Sequence, residues 1–331
     1  MPEPGAPLRA LIVGCGAIAG GYDEAGDEHA VRTHAGAYSR HGRFHLAACI
    51  EPDDARRRAF MDRWQVERGF ESLEQCRVAG GSYDMASVCL PTASHGAALE
   101  ALLDMDVGAV LAEKPLTADP AASQAIVDAY ASAGRPLAVN YLRRFDAEVI
   151  RLRDEIAAGA WGAVQSVSAH YAKGLLNCGS HAIDLIHFLL GPLSARDVIA
   201  SLVDYDANDP TVTARLALAG GVPVHLIGCD GRQFFPFEID LVMEKGRISF
   251  EDLGVRIRRR WVRPHPLFLS QLSLDDGVWV DTELPRALAN AVGNVYDHLT
   301  DGAPLLCTGA DAVAAERVCS ELRDMMEKSV E

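Results

Sequence analysis

The chain has 331 residues, 49% hydrophobic and 23% charged, with 46 acidic against 31 basic side chains and a formal charge of -15 at pH 7. That length exceeds one comfortable core and predicts two globular domains, while the acidity argues against a partner with a phosphate backbone. The eight cysteines form no CxxC pair and several sit in apolar runs, so they read as reduced and structural.

Residues 1–9 lack a basic stretch followed by an apolar one, and the best apolar runs are interrupted by Asp104, Asp106 and Asp184. The expectation is therefore a soluble, cytoplasmic protein with no membrane partner.

In chain order, the apolar run Leu8 to Val13 predicts a strand that leads into Gly14-Cys15-Gly16-Ala17-Ile18-Ala19. Glycines at 14 and 16 between a strand and a helix would let the backbone approach a pyrophosphate, with Ala17 and Ile18 at the helix start and Ala19 allowing close packing. A tight turn with no ligand would use the same residues. Residues 21–34 read as an insertion, and the strand Leu46 to Ile50 ends at Glu51-Pro52. A carboxylate there would accept from ribose hydroxyls and repel a 2′-phosphate, which favours NAD over NADP. An acid at a helix start before the basic Arg56-Arg57-Arg58 is the plainer alternative.

Helix Pro52 to Trp64, strand Met85 to Leu90, helix Ser94 to Met105, strand Gly108 to Ala112, helix Pro120 to Ala133 and strand Pro136 to Asn140 continue an alternation that predicts a parallel, doubly wound sheet. Its carboxyl edge would carry Pro91, Thr92 and His95 after the third strand, and Glu113-Lys114-Pro115 after the fourth, with a peptide bond before Pro115 that is a candidate for cis. His95 reads equally as a ligand contact or as a helix-capping residue, and the same holds for His34. Lys114 at such an edge is placed to bind an alkoxide-like oxygen, where elsewhere it would be an ordinary surface lysine.

The first domain is expected over 1–143 and the second over 144–331. After helix Ala147 to Ala158 the texture turns to strands, at Ala163 to Ala172, Arg196 to Asp204, Thr211 to Ala219, Val222 to Gly228, Phe237 to Glu244 and Arg247 to Arg260, which predicts a largely antiparallel open sheet in an α+β domain. The basic run Arg256 to Arg263 alternates with Ile257, Trp261 and Val262 as an exposed strand does. Helices Ser180 to Leu190, Ala287 to Leu299 and Ala310 to Met326 complete the count. Within Asn177-Cys178-Gly179-Ser180-His181-Ala182-Ile183-Asp184, a helix starting near Gly179 puts His181 and Asp184 on one face, and His181 suits proton transfer at neutral pH. A core histidine satisfied by a carbonyl is the other reading.

These ordered motifs, with Asn140-Tyr141-Leu142-Arg143-Arg144-Phe145 and Leu189-Leu190-Gly191, resemble the Gfo/Idh/MocA oxidoreductases over nearly the whole chain. The resemblance implies a Rossmann domain, a second domain whose sheet lines the substrate site and often makes dimer contacts, Lys114 and His181 as catalytic pair, and no metal. It also implies Asn140 near the nicotinamide, and Arg144, Tyr171 or Lys173 reaching a hydroxylated or anionic substrate. Asn177 departs from the aspartate of inositol-dehydrogenase-like members, so it would orient His181 or bind a substrate hydroxyl. The expected activity is NAD-dependent oxidation of a sugar, cyclitol or nucleotide-linked sugar by a homodimer or homotetramer. The alternatives are an NAD-retaining glycoside hydrolase and a noncatalytic sensor.

Overall fold

The computed structural model describes residues 6–23, 30–268 and 270–328. The chain divides into two compact units: residues up to Phe145 with Pro285–Val313, and Asp146–Leu284 with the chain from Ala314 onward.

In the first unit, β1 (Leu8–Val13), β2 (Phe44–Ile50), β3 (Arg68–Phe70), β4 (Tyr83–Val88), β5 (Val107–Ala112) and β6 (Leu137–Val139) form one parallel sheet in the order β3-β2-β1-β4-β5-β6. The strands are nearly continuous apolar runs because helices cover both faces: Leu11, Ile12, Met85, Ala109, Val110 and Leu111 are fully enclosed. The connecting helices are α1 (His34–His41), α2 (Asp54–Trp64), α3 (Leu73–Ala79), α4 (His95–Leu103) and α5 (Pro120–Ser132). Thr33, Asp53, Ser72 and Asp119 each accept a backbone amide at the start of α1, α2, α3 and α5, which satisfies donors that the helix cannot. The chain crosses over between β1 and β4, so the loops after these two strands flank the switch point where such sheets bind ligands.

The helix expected directly after the glycine turn is split. The amides of His34 and Ala35 donate to the carbonyls of Ile18 and Ala19, as successive turns of one helix would if the intervening stretch were excised. The expected insertion lies in part, at 24–29, outside the described residues. Asp23 ties its near end to its far end by accepting from the Arg32 amide and the Thr33 hydroxyl.

In the second unit, after α6 (Ala147–Ala157), come β7 (Val164–Tyr171), α7 (Ser180–Leu190), β8 (Leu193–Asp206), β9 (Asp209–Leu218), β10 (Pro223–Gly228), β11 (Phe237–Met243), β12 (Gly246–Glu251), β13 (Arg256–Pro264), β14 (Leu272–Leu274) and β15 (Val278–Asp281). The sheet order is β14-β13-β12-β11-β7-β10-β9-β8, with β15 also on β13, and every pairing is antiparallel except β7 with β10. The single strand expected over Arg247 to Arg260 is two, broken at Asp252 and Leu253, both in the left-handed region at φ 52° and 60°. Arg259 in β13 turns inward rather than out, because its guanidinium meets Glu155 of α6 at 2.8 Å.

The helices α8 (Ala287–Asp301) and α9 (Gly309–Lys328) close the chain. The division expected at 143/144 gives all of 285–313 to the second domain, whereas that stretch packs with the first unit. The reason is local: the Val139 amide donates to the Cys307 carbonyl at 3.1 Å beside β6, Asn290 donates to the Phe145 carbonyl, and the Tyr296 ring lies tilted against His41 and edge-on to Phe44.

Candidate active site

Gly14 stands at the carboxyl end of β1 with φ 90°, and a Cβ there would lie 2.9 Å from Leu90 Cδ2 and 3.0 Å from the Cys89 carbonyl, so only glycine fits. At Gly16 an added Cβ meets no protein atom within 4 Å. Ala17 is exposed and Ile18 half-buried on the turn that follows. Glu51, 5% exposed, is drawn to this turn: its Oε2 accepts the Cys15 amide at 3.2 Å and its Oε1 accepts the Asp53 amide at 3.1 Å. Arg56 reaches Glu51 Oε1 at 3.4 Å, while Arg57 and Arg58 pair with Asp54. The carboxylate therefore sits beside the glycine turn.

At the neighbouring strand ends, Pro91 is exposed and Thr92 half-buried in a short turn before α4. His95 is not at the surface: it is 1% exposed, with Nδ1 at 2.8 Å from the Pro115 carbonyl and Nε2 at 2.7 Å from the Leu90 carbonyl. The ring thus lies buried between two loops, with a carbonyl of each at hydrogen-bond distance.

The Lys114–Pro115 peptide is cis, and Lys114 is half-buried at the end of β5. Beside it, Glu113 Oε1 lies 2.9 Å from His34 Nε2 and accepts the Asn140 amide at 2.8 Å. Burial pushes the Glu113 carboxyl up, but the hydrogen bonds from His34 and the Asn140 amide and the nearby charge of Lys114 outweigh it and hold the group below the usual carboxylate range. His34 Nδ1 lies 2.9 Å from Ser87 Oγ, which in turn lies 2.7 Å from the Tyr38 hydroxyl. Asn140 is 3% exposed, and its Oδ1 is buried with no hydrogen-bond partner among the described residues.

Arg144, expected to reach substrate, is 5% exposed and pairs with Asp311 at 3.0 Å. Its charge ties the returning segment to the first unit. Arg144 also holds Asp311 low, against the upward push of burial.

In the second unit, Tyr171 is fully buried, and its hydroxyl donates to the Val212 carbonyl at 2.8 Å while accepting the Val212 amide at 2.7 Å. That corrects its expected substrate role, because the hydroxyl closes a sheet contact in both directions. Lys173 is half-buried in the left-handed region at φ 62°, with its amine 5.1 Å from the Phe235 ring centre. From Gly174 the chain makes one wide turn, Leu175–Gly179, that runs into α7. Asn177 lies in this turn, ahead of α7, and its Nδ2 donates to the Lys173 carbonyl at 3.0 Å. His181 is half-buried in the first turn of α7, while Asp184, one turn along, is 1% exposed.

The turn is held by two aspartates that the sequence did not single out. Asp209 accepts the Leu176 and Asn177 amides, both at 2.8 Å, and Asp204 accepts the Lys173 and Gly231 amides and the Thr211 hydroxyl. A Cβ on Gly174 would collide with the Asp209 carboxylate. Ser87 was equally unmarked, although a serine inside the apolar run Met85 to Leu90 was a readable signal; the two aspartates looked like ordinary hairpin-turn residues.

Among the described residues no cluster of histidine, cysteine and acidic side chains could hold a metal, and no helix is long and apolar enough to cross a membrane. The first unit does fit a dinucleotide, given its strained glycine turn, an adjoining carboxylate and a buried acceptor without a partner on one sheet edge.

Residues 8–141 match the oxidoreductase family with an NAD-binding Rossmann fold, GFO_IDH_MocA. An inositol 2-dehydrogenase of Corynebacterium glutamicum (strain R) is 30% identical over 196 residues, covering 56% of this chain and 54% of that protein. The chain thus spans about half the length of that relative. An inositol 2-dehydrogenase of Rhizobium meliloti (strain 1021) is 24% identical over 314 residues, 86% of this chain and 90% of that one. The WlbA dehydrogenase from Bordetella pertussis, solved in complex with NADH and UDP-GlcNAcA, superposes with a TM-score of 0.77 at 20% identity, covering 98% of this chain and 97% of the other, and so shares the fold.

Proposed function

We propose that the protein is a Gfo/Idh/MocA oxidoreductase, an NAD-dependent dehydrogenase of a cyclitol, sugar or nucleotide-linked sugar, a reading that the family match over residues 8–141 supports. The observation that carries this reading is Lys114 at the end of β5, next to a half-buried, tethered Glu113 and on the same sheet edge as the Gly14 turn and Glu51. The names of the inositol and sugar dehydrogenases it resembles support the substrate class.

NAD, when bound, supplies the acceptor for the substrate's hydride. In this reading Lys114 donates a hydrogen bond to the reacting oxygen and stabilises its developing charge, and His181 takes the hydroxyl proton on a ring nitrogen. Asp184, Asn177 and Lys173 are the candidates for binding the substrate in this reading. Glu51 accepts from the adenosine ribose, and its charge disfavours a 2′-phosphate, with Arg57 and Arg58 already paired to Asp54.

We further place the protein in the cytoplasm as a homodimer or homotetramer. Eight free cysteines support a reducing compartment, and the exposed Ile199, Val203 and Tyr205 of β8 support a self-association surface.

The test is Lys114→Ala and His181→Ala. Each is expected to lower turnover by about 10²- to 10⁴-fold, the usual contribution of an acid–base or oxyanion group, while NAD binding persists. Near-normal turnover in both would sink the assignment.

A further inference from the structure

His34 is completely enclosed in the first unit, yet its ring joins five polar side chains in one line: Tyr38, Ser87, His34, Glu113 and Asn140. The donor count of that line fixes its direction. Glu113 as a carboxylate only accepts, so His34 Nε2 and Asn140 Nδ2 both donate to its Oε1. In the neutral ring Nδ1 then accepts from Ser87, and Ser87 accepts from Tyr38, so every link has one donor and one acceptor. The tautomer assigned in this way follows from the partners.

The far end of the line is where a ligand enters the argument. With Nδ2 committed to Glu113, the Asn140 amide cannot flip, and its buried Oδ1 is left pointing away from that bond with no hydrogen-bond partner among the described residues. A buried acceptor of this kind calls for a donor, and the adjoining Glu113 anion repels any incoming acceptor. Asn140 directly follows β6, on the carboxyl edge that also carries Gly14, Glu51 and Lys114. The group that suits the position is the N–H of a primary carboxamide at the reactive end of a dinucleotide.

We propose that His34 is a positioning residue for the nicotinamide: with Ser87 behind it, it holds Glu113, Glu113 holds the Asn140 amide, and the Asn140 Oδ1 so presented accepts the carboxamide N–H. This rests on the NAD reading above, and it assigns an indirect role toward the ligand to the histidine that ends the insertion, for which a ligand contact and a capping role both stood open.

The experiment compares equilibrium binding of NADH with that of ADP-ribose, which lacks the nicotinamide, to the wild type and to His34→Phe, His34→Gln and Ser87→Ala, with thermal unfolding recorded for each. His34→Phe removes both ring contacts and should weaken NADH by about tenfold, the lower range for loss of a supporting hydrogen bond, with ADP-ribose within about twofold. His34→Gln keeps an amide donor toward Glu113 and should restore most of the NADH affinity, while Ser87→Ala should fall between them. NADH and ADP-ribose weakening together, or neither changing in a folded His34→Phe, would overturn the proposal in favour of a purely structural histidine. Wild type that holds NADH no better than ADP-ribose would also overturn it, leaving Asn140 to a substrate hydroxyl. Wild type that binds NADH but oxidises no substrate would defeat the dehydrogenase reading and leave this one standing, and wild type that binds neither ligand would remove both.

Discussion

Asn177 shows how a single atom changes a site. Its Nδ2 donates to the Lys173 carbonyl, so an aspartate there would set a carboxylate oxygen against that carbonyl. Asn177→Asp is therefore expected to destabilise the protein by about 1–3 kcal/mol, the penalty of a lost bond with unsatisfied polar atoms, and to loosen the chain before His181. Unfolding midpoints equal to wild type would contradict this. Glu51 is the other residue whose neighbours decide its use. The Cys15 and Asp53 amides hold its carboxyl group beside the glycine turn. Glu51→Ala should narrow the preference for NAD over NADP by about tenfold, roughly one lost charge contact. A wild-type protein that binds NADP as well as NAD would show the ribose argument to be wrong.

At the scale of elements, the segments that carry the candidate site residues were readable and their supports were not. The Glu113-Lys114-Pro115 turn follows a strand whose apolar run is plain in the sequence, and the limits of α7 agree with the expected Ser180 to Leu190. The turn ahead of α7 was hidden because its stability comes from β8 and β9, some thirty residues away, where Asp204 and Asp209 collect backbone amides. No local pattern announces such long-range pairing. The short β3, β14 and β15 escaped for a related reason, since three or four residues carry too little periodicity to stand out. Asp209→Ala would leave two amides of the turn without their acceptor, so we expect a loss of about 2 kcal/mol with His181 still present. Hydrogen exchange of the Leu176 and Asn177 amides would report it directly, and unchanged protection would contradict it.

For the whole molecule, the parallel sheet, the antiparallel sheet and their order along the chain followed from alternation of apolar runs, whereas the return of 285–313 to the first unit did not. Chain order suggests one crossing between domains; the Arg144–Asp311 pair and the Asn290–Phe145 contact act against it. The same pair governs acid stability. Asp311, Glu113 and Asp204 all have folded values below the ordinary carboxylate value, so the stability they add is present above about pH 4 and is lost as pH falls through those lower folded values. Asp311→Asn leaves the Arg144 guanidinium buried without its anion and should cost about 3 kcal/mol at neutral pH, with a shallower decline of the melting temperature in acid. An acid limb identical to wild type would contradict that account.

The central claim, a Rossmann unit serving oxidation of a polyhydroxylated substrate, is tested most directly by following reduced-nicotinamide absorbance with NAD and a panel of cyclitols, free sugars, sugar acids and nucleotide sugars. The account predicts that at least one class produces a signal that disappears in Lys114→Ala. A folded, NAD-binding wild type that stays silent across the panel, and that oxidises no NADH with the corresponding ketones, would contradict it.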